Sequence, residues 1–388
     1  MKKVISVLLL LTLVFVLAGC GTKKEDKETT PEVGVEVTKA PEATKAPEAT
    51  TAPAETVAEG YELALVTDIG TIDDKSFNQG AWEGLKQYAE EKGITYKYYQ
   101  PTEKATDAYV ATIGLAIEGG AKLVVCPGFL FEEPIYLVQE EYPDVQFIIL
   151  DGTPHNADYS DFKITSNVYS IFYAEQEAGF LAGYAAVKEG FSKLGFMGGM
   201  AVPAVVRFGY GFVQGADYAA QEMGLSDVGI KYFYTGGFDA TPEAKATAAS
   251  WYDSGTEVIF ACGGAVGNSV MAAAEEKGTK VIGVDVDQSP ESDTVITSSM
   301  KMLSKSVYDG ITAYYGGTFP GGQSLFKGVK EDGVGLPMAT SKFTTFTQAD
   351  YDAIYAKLLS GEVTPIKDTD AADATLVPVT VAKVELIK

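Results

Sequence analysis

Histidine is almost absent from this chain: His155 is the single copy among 388 residues. A Ser-His-Asp or Cys-His centre would rest on that one residue, which follows Pro154 in a polar loop with no nucleophile motif beside it. Positive charge is short as well. Thirty Lys and Arg face 53 Asp and Glu, a formal charge of −23, which argues against nucleic acid or an anionic membrane face as the partner. Phosphate cradles are missing. "GGAVGNS" (263–269) has glycines but no P-loop lysine, and no G-x-G-x-x-G follows a strand-like run. "DVDQSPESD" (285–293) has the acidic spacing of a calcium loop, but Pro290 stands where glycine is needed and Ile296 where the bidentate Glu belongs. No cofactor or metal is expected. Of the three cysteines, Cys126 and Cys262 end the apolar runs "KLVVC" and "EVIFAC" and read as buried free thiols. A disulfide is the alternative in an oxidising setting.

What is present begins with an addressing segment. Lys2 and Lys3 precede an apolar run from Val4 to Val16, closed by "LAGC". The run is short for a membrane span and reads as a signal peptide over 1–19. The cysteine after Leu-Ala-Gly resembles a bacterial lipobox, which implies lipidation of Cys20 and an extracytoplasmic protein anchored to the cell membrane. Several acyl chains on one residue anchor stably without a spanning helix. Residues 20–60 contain "TKAPEATKAPEATTAPAET", nearly free of large apolar side chains. Such a segment cannot offset the entropy of ordering and reads as a tether, with a flexible-coil reach of roughly 35 Å.

The body from Tyr61 onward alternates strand-like and helix-like segments, the pattern of a parallel α/β sheet. It does so twice. "YELALVTDIG", "ITYKYYQP", "KLVVCPGF" and "VQFIILDGTP" are followed by "KLGFMGGMA", "IKYFYTGGF", "EVIFACGGA" and "KVIGVDVDQ". Each run has the apolar character of a buried parallel strand. The repeat predicts two Rossmann-like lobes, 61–166 and 167–297, with 299–388 divided between them. "ITSNVYS", "VITSSMK" and the region of "GVGLPM" read as crossovers between lobes. Ser76 to Gln79 fits a capping box with Ser76 as N-cap, and "TQADYDAIYAKLLSGEV" reads as a helix ending at Gly361.

In open α/β sheets ligands bind beyond the carboxyl ends of the strands, so facing lobes make that crevice an interdomain cleft. The candidates are therefore Asp68, Asp151, the Gly263–Gly264 turn and Asp285. One strand-end aspartate would read as a cap; three at matching places read as a site. Ionised carboxylates only accept hydrogen bonds, so they repel phosphate and suit a ligand rich in O–H or N–H donors. Phe77 offers a stacking face, and Asn78 a donor and an acceptor. Lys301, after the second crossover, is placed to hydrogen-bond a hydroxyl, to pair with an aspartate, or to stand solvated on the surface. A two-carboxylate glycosidase remains an alternative, though carboxylates spread over two lobes fit binding better than hydrolysis.

"DDKSFNQGAWEGL", "PAVVRFGYGFVQGA", "ACGGAVG" and "VIGVDVDQ" together resemble the basic membrane protein family, substrate-binding lipoproteins of ABC importers typified by the purine nucleoside receptor. The resemblance runs from about Tyr61 to near Gly361. It implies a type I periplasmic-binding fold, two lobes joined by a hinge of crossover strands. It also implies a monomeric, non-enzymatic nucleoside receptor that delivers its ligand to ABC permease subunits. Asp68, Phe77 and Asn78 would hold the base, Asp285 the ribose, and Lys301 a further contact. A second aromatic is expected opposite the base, with Phe208 and Phe238 as candidates. A sugar or other small-ligand receptor on the same fold is the nearer alternative; a nucleoside or glycoside hydrolase is the more distant one.

Overall fold

The computed structural model describes residues 60–388 apart from Ile69. The expected signal peptide, Cys20 and the tether lie outside the described residues. Among those described, no helix is long and apolar enough to cross a membrane.

The chain first lays down β1 (Leu63–Val66), α1 (Phe77–Lys92), β2 (Tyr96–Tyr99), α2 (Thr106–Glu118), β3 (Leu123–Pro127), α3 (Glu132–Val138), β4 (Gln146–Leu150) and β5 (Val168–Tyr173). It then repeats the scheme with α4 (Glu175–Glu189), β6 (Lys193–Gly198), α5 (Pro203–Glu222), β7 (Val228–Tyr234), α6 (Pro242–Asp253), β8 (Val258–Cys262), α7 (Val266–Lys277), β9 (Lys280–Asp285) and β10 (Val295–Lys301). The remainder forms α8 (Leu303–Tyr315), β11 (Gln323–Lys327), β12 (Val334–Gly335), α9 (Gln348–Ser360) and β13 (Ala382–Leu386).

Two sheets result. One runs β11-β5-β4-β3-β1-β2, the other β12-β10-β9-β8-β6-β7-β13. Strands β2-β1-β3-β4-β5 and β7-β6-β8-β9-β10 share one order, the doubly wound 2-1-3-4-5 arrangement, so the sequence repeat is a repeat of topology. All pairings are parallel except the short β10–β12 pair. Strands β1, β3, β8 and most of β4 and β9 are buried along their length. The expectation of burial fails for β2, an edge strand whose Lys97 and Tyr98 are exposed.

The lobe boundary differs from the expected one. Val168–Tyr173 is hydrogen-bonded to β4 and β11 in the first sheet, so the first crossover falls at Ala174, not at 166/167. Its alternating apolar residues belong to a sheet strand, and the chain changes lobe only where α4 begins. Likewise β10 pairs with β9 through Met300, which carries the second lobe past residue 297. The chain then returns: α8 packs on α1, and β11 joins β5. A third crossing follows Lys327, and β12, α9 and β13 complete the second lobe.

That lobe is held by an unusually close pair of helices. A Cβ built on Gly179 or Gly183 of α4 would collide with the carbonyl oxygens of Phe208 or Phe212. One on Gly211 or Gly215 of α5 would collide with those of Gln176 or Phe180. Small residues four apart on both helices let the backbones touch, which sets the depth at which the start of each helix enters the interlobe region. Gly211→Ala is expected to lower stability by about 1–3 kcal/mol through overpacking, read as a drop in urea midpoint. Gly114→Ala in α2, where a Cβ meets nothing within 4 Å, is expected to hold or raise it.

Candidate functional site

The stretch between β1 and α1 shows how local chemistry sets the cleft. Ser76 occupies the N-cap position of α1 but its side chain makes no cap bond. Asp74 does that work. Its Oδ1 accepts from the Ser76 and Gln79 amides at 2.9 and 3.1 Å, and its Oδ2 from the Asn78 amide at 3.0 Å. A carboxylate satisfies several of the orphan N–H groups and meets the positive end of the helix dipole. The expected Ser76 cap is therefore corrected, and the Ser76 hydroxyl is released to cross the cleft. It donates to Asp285 Oδ2 at 2.5 Å.

Asp68, just beyond β1, is braced from its own lobe. Its Oδ1 accepts from Gly70 N at 2.6 Å and from Asn78 Nδ2 at 3.0 Å, while Asp68 N donates to Asn78 Oδ1 at 3.3 Å. Asn78 Nδ2 also donates to Asp74 Oδ2 at 3.0 Å. The amide of Asn78 is thus committed to orienting Asp68. No described residue donates to Asp68 Oδ2, and a Cβ added at Gly128 would meet that oxygen and the edge of Phe77 at 3.8 and 3.9 Å.

The two remaining strand-end aspartates are paired by the repeat. Asp151 follows β4 and Asp285 ends β9, and both sit in the left-handed region, at φ 55° and 66°. Aspartate tolerates that conformation better than most residues, but it still carries strain. The turn points each carboxylate into the space between the lobes.

Lys301 sits in that space, 3% exposed. It donates a hydrogen bond to Asp151 Oδ2, and its Nζ lies 3.0 Å from Glu175 Oε1 without hydrogen-bond alignment. The rings of Phe77, Tyr173 and Phe208 surround the ammonium at 4.9, 5.4 and 5.4 Å from their centroids. Burial opposes its charge, but Asp151, Glu175 and Asp285 more than offset this and hold it protonated. The carboxylates respond in the other direction. Burial, reinforced by Glu175 and Asp285 against the pull of Lys301, pushes Asp151 up to about 7. Burial likewise raises Asp285 against Lys301 and Ser76, and Asp68 against the Gly70 and Asn78 donors. Asp151 Oδ1 and Glu175 Oε1 are buried and accept no hydrogen bond. The site is rich in acceptors and poor in donors.

The structure therefore brings Phe77, Asp151, Asp285 and Lys301 together, with Asp68 and Asn78 on the adjoining wall. The Gly263–Gly264 turn follows β8 directly, beside the end of β9 that carries Asp285, and packs against Gly199 and the ring of Phe238; Cys262 just before it lies in the field of Asp285, Lys301 and Glu175. Phe208 is the aromatic that shares an ammonium with Phe77; Phe238 covers the glycine turns. Ser76, Glu175 and Arg207 were not anticipated. The signal for Glu175 was a charged residue opening the otherwise buried helix α4. For Ser76 there was none, because its N-cap position has a sufficient local explanation.

The lobes are drawn together by Ser76–Asp285, by Gln288 Nε2 donating to Lys75 O at 2.7 Å, and by the Lys75–Glu291 pair at 3.5 Å. A groove of about 650 Å³ runs along α1 and α8 and reaches Lys301, lined by Gln79, Glu83, Asp287 and Glu291 among others. None of the strand-end aspartates at 68, 151 and 285 lines it. The convergent acceptors, rather than this groove, mark the site.

Comparison with known proteins bears on the family and the fold. The family described as "ABC transporter substrate-binding protein PnrA-like" matches residues 61–365. The chain is 33% identical over 321 residues to the "ABC transporter nucleoside-binding protein BmpA" of Lactococcus lactis subsp. cremoris, covering 76% of this chain and 87% of the relative. It is 31% identical over 326 residues to the "CD4+ T-cell-stimulating antigen" of Listeria monocytogenes, covering 78% and 87%. Among solved structures, an ABC transporter solute-binding protein from Aeropyrum pernix K1 superposes with TM-score 0.68 at 25% identity, over 80% of this chain and 95% of the other. A second, from Conexibacter woesei, gives 0.63 at 23% identity over 79% and 99%. The chain has the two α/β lobes expected from its repeat and the type I periplasmic-binding fold that the family resemblance implied.

Two outcomes follow from the geometry. Asp74→Ala is expected to cost about 0.5–2 kcal/mol of stability as a lost cap, read as a drop in melting temperature. For Asp151, a folded-state pKa above the ordinary 3.8 means that the native state holds an extra proton between 3.8 and about 7. Its contribution is full below that window and is lost as pH rises through it. The melting temperature of the wild type minus that of Asp151→Asn is therefore expected to fall as pH is raised from about 4 to about 8. A flat difference would mean that Lys301 keeps Asp151 ionised throughout.

Proposed function

Because the chain belongs to the PnrA-like family of ABC transporter substrate-binding proteins, we propose that it is an extracytoplasmic receptor for a nucleoside, held between the lobes and delivered to an ABC permease. The observation that carries this is the convergence of buried, under-donated carboxylates with one cation and an aromatic ring, contributed by both lobes. Asp151 Oδ1, Asp68 Oδ2 and Asp285 accept; a nucleoside supplies sugar hydroxyls and base N–H groups that donate. A phosphorylated ligand would bring negative charge against four carboxylates and a single close ammonium.

In this reading Phe77 stacks on the base and Asp68, held rigid by Asn78, accepts from its edge. Asp285 accepts from the ribose, and the Ser76 hydroxyl supplies in this structure the donor that a sugar hydroxyl would supply. Lys301 screens Asp151 and donates to the sugar. The lobes close about three crossovers, at Ala174, at Met302 and after Lys327, a hinge motion that buries the ligand. Nothing in this arrangement activates a nucleophile or a water, so binding without turnover is the proposed outcome. Lipidation of Cys20 and the tether would keep the receptor beside its permease. The name of the Lactococcus relative supports the ligand class.

A thermal-shift panel of nucleosides, nucleotides, free bases and ribose tests the ligand class. Inosine, guanosine or adenosine is expected to raise the melting temperature by mass action, and the matching monophosphates are not. A shift with ribose alone would remove the stacking role of Phe77. Asp285→Ala is expected to weaken nucleoside binding at least tenfold while changing free-base binding little, measured by calorimetry. Equal losses would remove the ribose role of Asp285.

A further inference from the structure

The ammonium of Lys301 is one link in a chain of largely buried charges that runs from Asp151 to the segment after α9. Glu175 is fully buried, with Oε1 3.0 Å from Lys301 Nζ and Oε2 accepting from Arg207 Nη1 at 3.0 Å. Arg207, 13% exposed at its side chain, donates through Nε to Asp368 Oδ1 at 2.7 Å. The order is Asp151, Lys301, Glu175, Arg207, Asp368, with signs alternating throughout.

Its placement in the fold is specific. Asp151 belongs to the first lobe. Glu175 follows the first crossover directly, and Lys301 immediately precedes the second. Asp368 lies on the strap after α9. That strap is seated along one stripe of α5, spaced three and four residues apart so that the side chains share a face. Tyr210 donates to Ala371 O at 3.1 Å, and Gln214 Oε1 accepts from Ile366 N at 2.9 Å. Asp217 Oδ1 accepts from the amides of Thr380, Val381 and Ala382 at 2.6 to 2.9 Å. Arg207 is the first member of the stripe and the only one that also reaches the cleft cluster.

A fully buried carboxylate shared by two cations is held where the more constrained cation puts it. Lys301 stands on a flexible four-carbon stem, while the Arg207 guanidinium is a rigid fork fixed on its outer side by Asp368. We propose that Arg207 and Asp368 are positioning residues for Lys301: through Glu175 they set where its ammonium sits, so that ligand affinity depends on the seating of the C-terminal strap. The inference rests on the nucleoside reading only for the contact between Lys301 and ligand; the coupling of Asp368 to Lys301 is a property of the ligand-free protein.

The variant to use is Asp368→Asn in the full chain, with Asp368→Glu as the conservative rescue. Arg207→Ala would take from the buried Glu175 its only hydrogen-bonded cation among the described residues and endanger the fold. Two readouts are taken. One is the side-chain NMR signal of Lys301 in ligand-free, isotope-labelled protein, assigned with Lys301→Arg. The other is the dissociation constant for inosine by calorimetry. Asp368→Asn is expected to shift the Lys301 signal and weaken inosine about fivefold or more, and Asp368→Glu to restore both. An unmoved Lys301 signal overturns the coupling, whatever happens to the melting temperature. A moved signal with unchanged inosine affinity overturns the dependence of affinity on the strap. If the wild type binds no nucleoside and the signal still moves, the nucleoside reading fails while the coupling stands.

Discussion

One buried ammonium organises the junction of the two lobes. Lys301 is nearly inaccessible, hydrogen-bonds Asp151 of the first lobe, and lies against Glu175 and within the field of Asp285 in the second. Burying a lone charge is prohibitive, and removing one partner of a buried pair costs about 3–5 kcal/mol. Lysine and carboxylates therefore require one another, and Asp151 reaches the ammonium only when the lobes are together. The ordering of the hinge-proximal turns at Asp151 and Glu175 follows from that requirement, as does the pairing of Glu175 with Arg207 on its far side.

The duplicated topology supplies a symmetrical frame and an asymmetrical site. Both lobes end a strand on an aspartate with positive φ, so each wall presents a carboxylate at the same height. What differs is the next contact. Asp151 faces a cation, Asp285 faces the hydroxyl of Ser76, and Asp68 is braced by the amide of Asn78. Three acceptors in three environments can distinguish the donors of a ligand that has a base at one end and a sugar at the other. The close α4–α5 packing through glycines serves the same frame, since it sets Glu175 and Arg207, one at the start of each helix, within hydrogen-bonding distance.

Much of the fold was legible because it depends on periodic patterns. Parallel strands read as β-rich runs, and eight of them in two sets announce two doubly wound lobes, although the edge strand β2 is exposed. Lobe boundaries were less legible: Val168–Tyr173 carries the same apolar residues whether it ends one sheet or begins another, and only its pairing with β4 and β11 decides. Gly361 bounded the end of α9 correctly, since caps are local chemistry. Ser76 misled for the same reason. Its local role was sufficient, but Asp74 took it with two oxygens and left the serine free.

The sequence by itself determined the two-lobed architecture, the strand-end carboxylates and the absence of a phosphate cradle, because each follows from residue type and spacing along the chain. The partners of those carboxylates were decided only in three dimensions. Lys301 and Asp151 are separated by 150 residues and Ser76 and Asp285 by 209. No local pattern encodes such pairs; they arise because burial between the lobes leaves each charge or donor with one available complement.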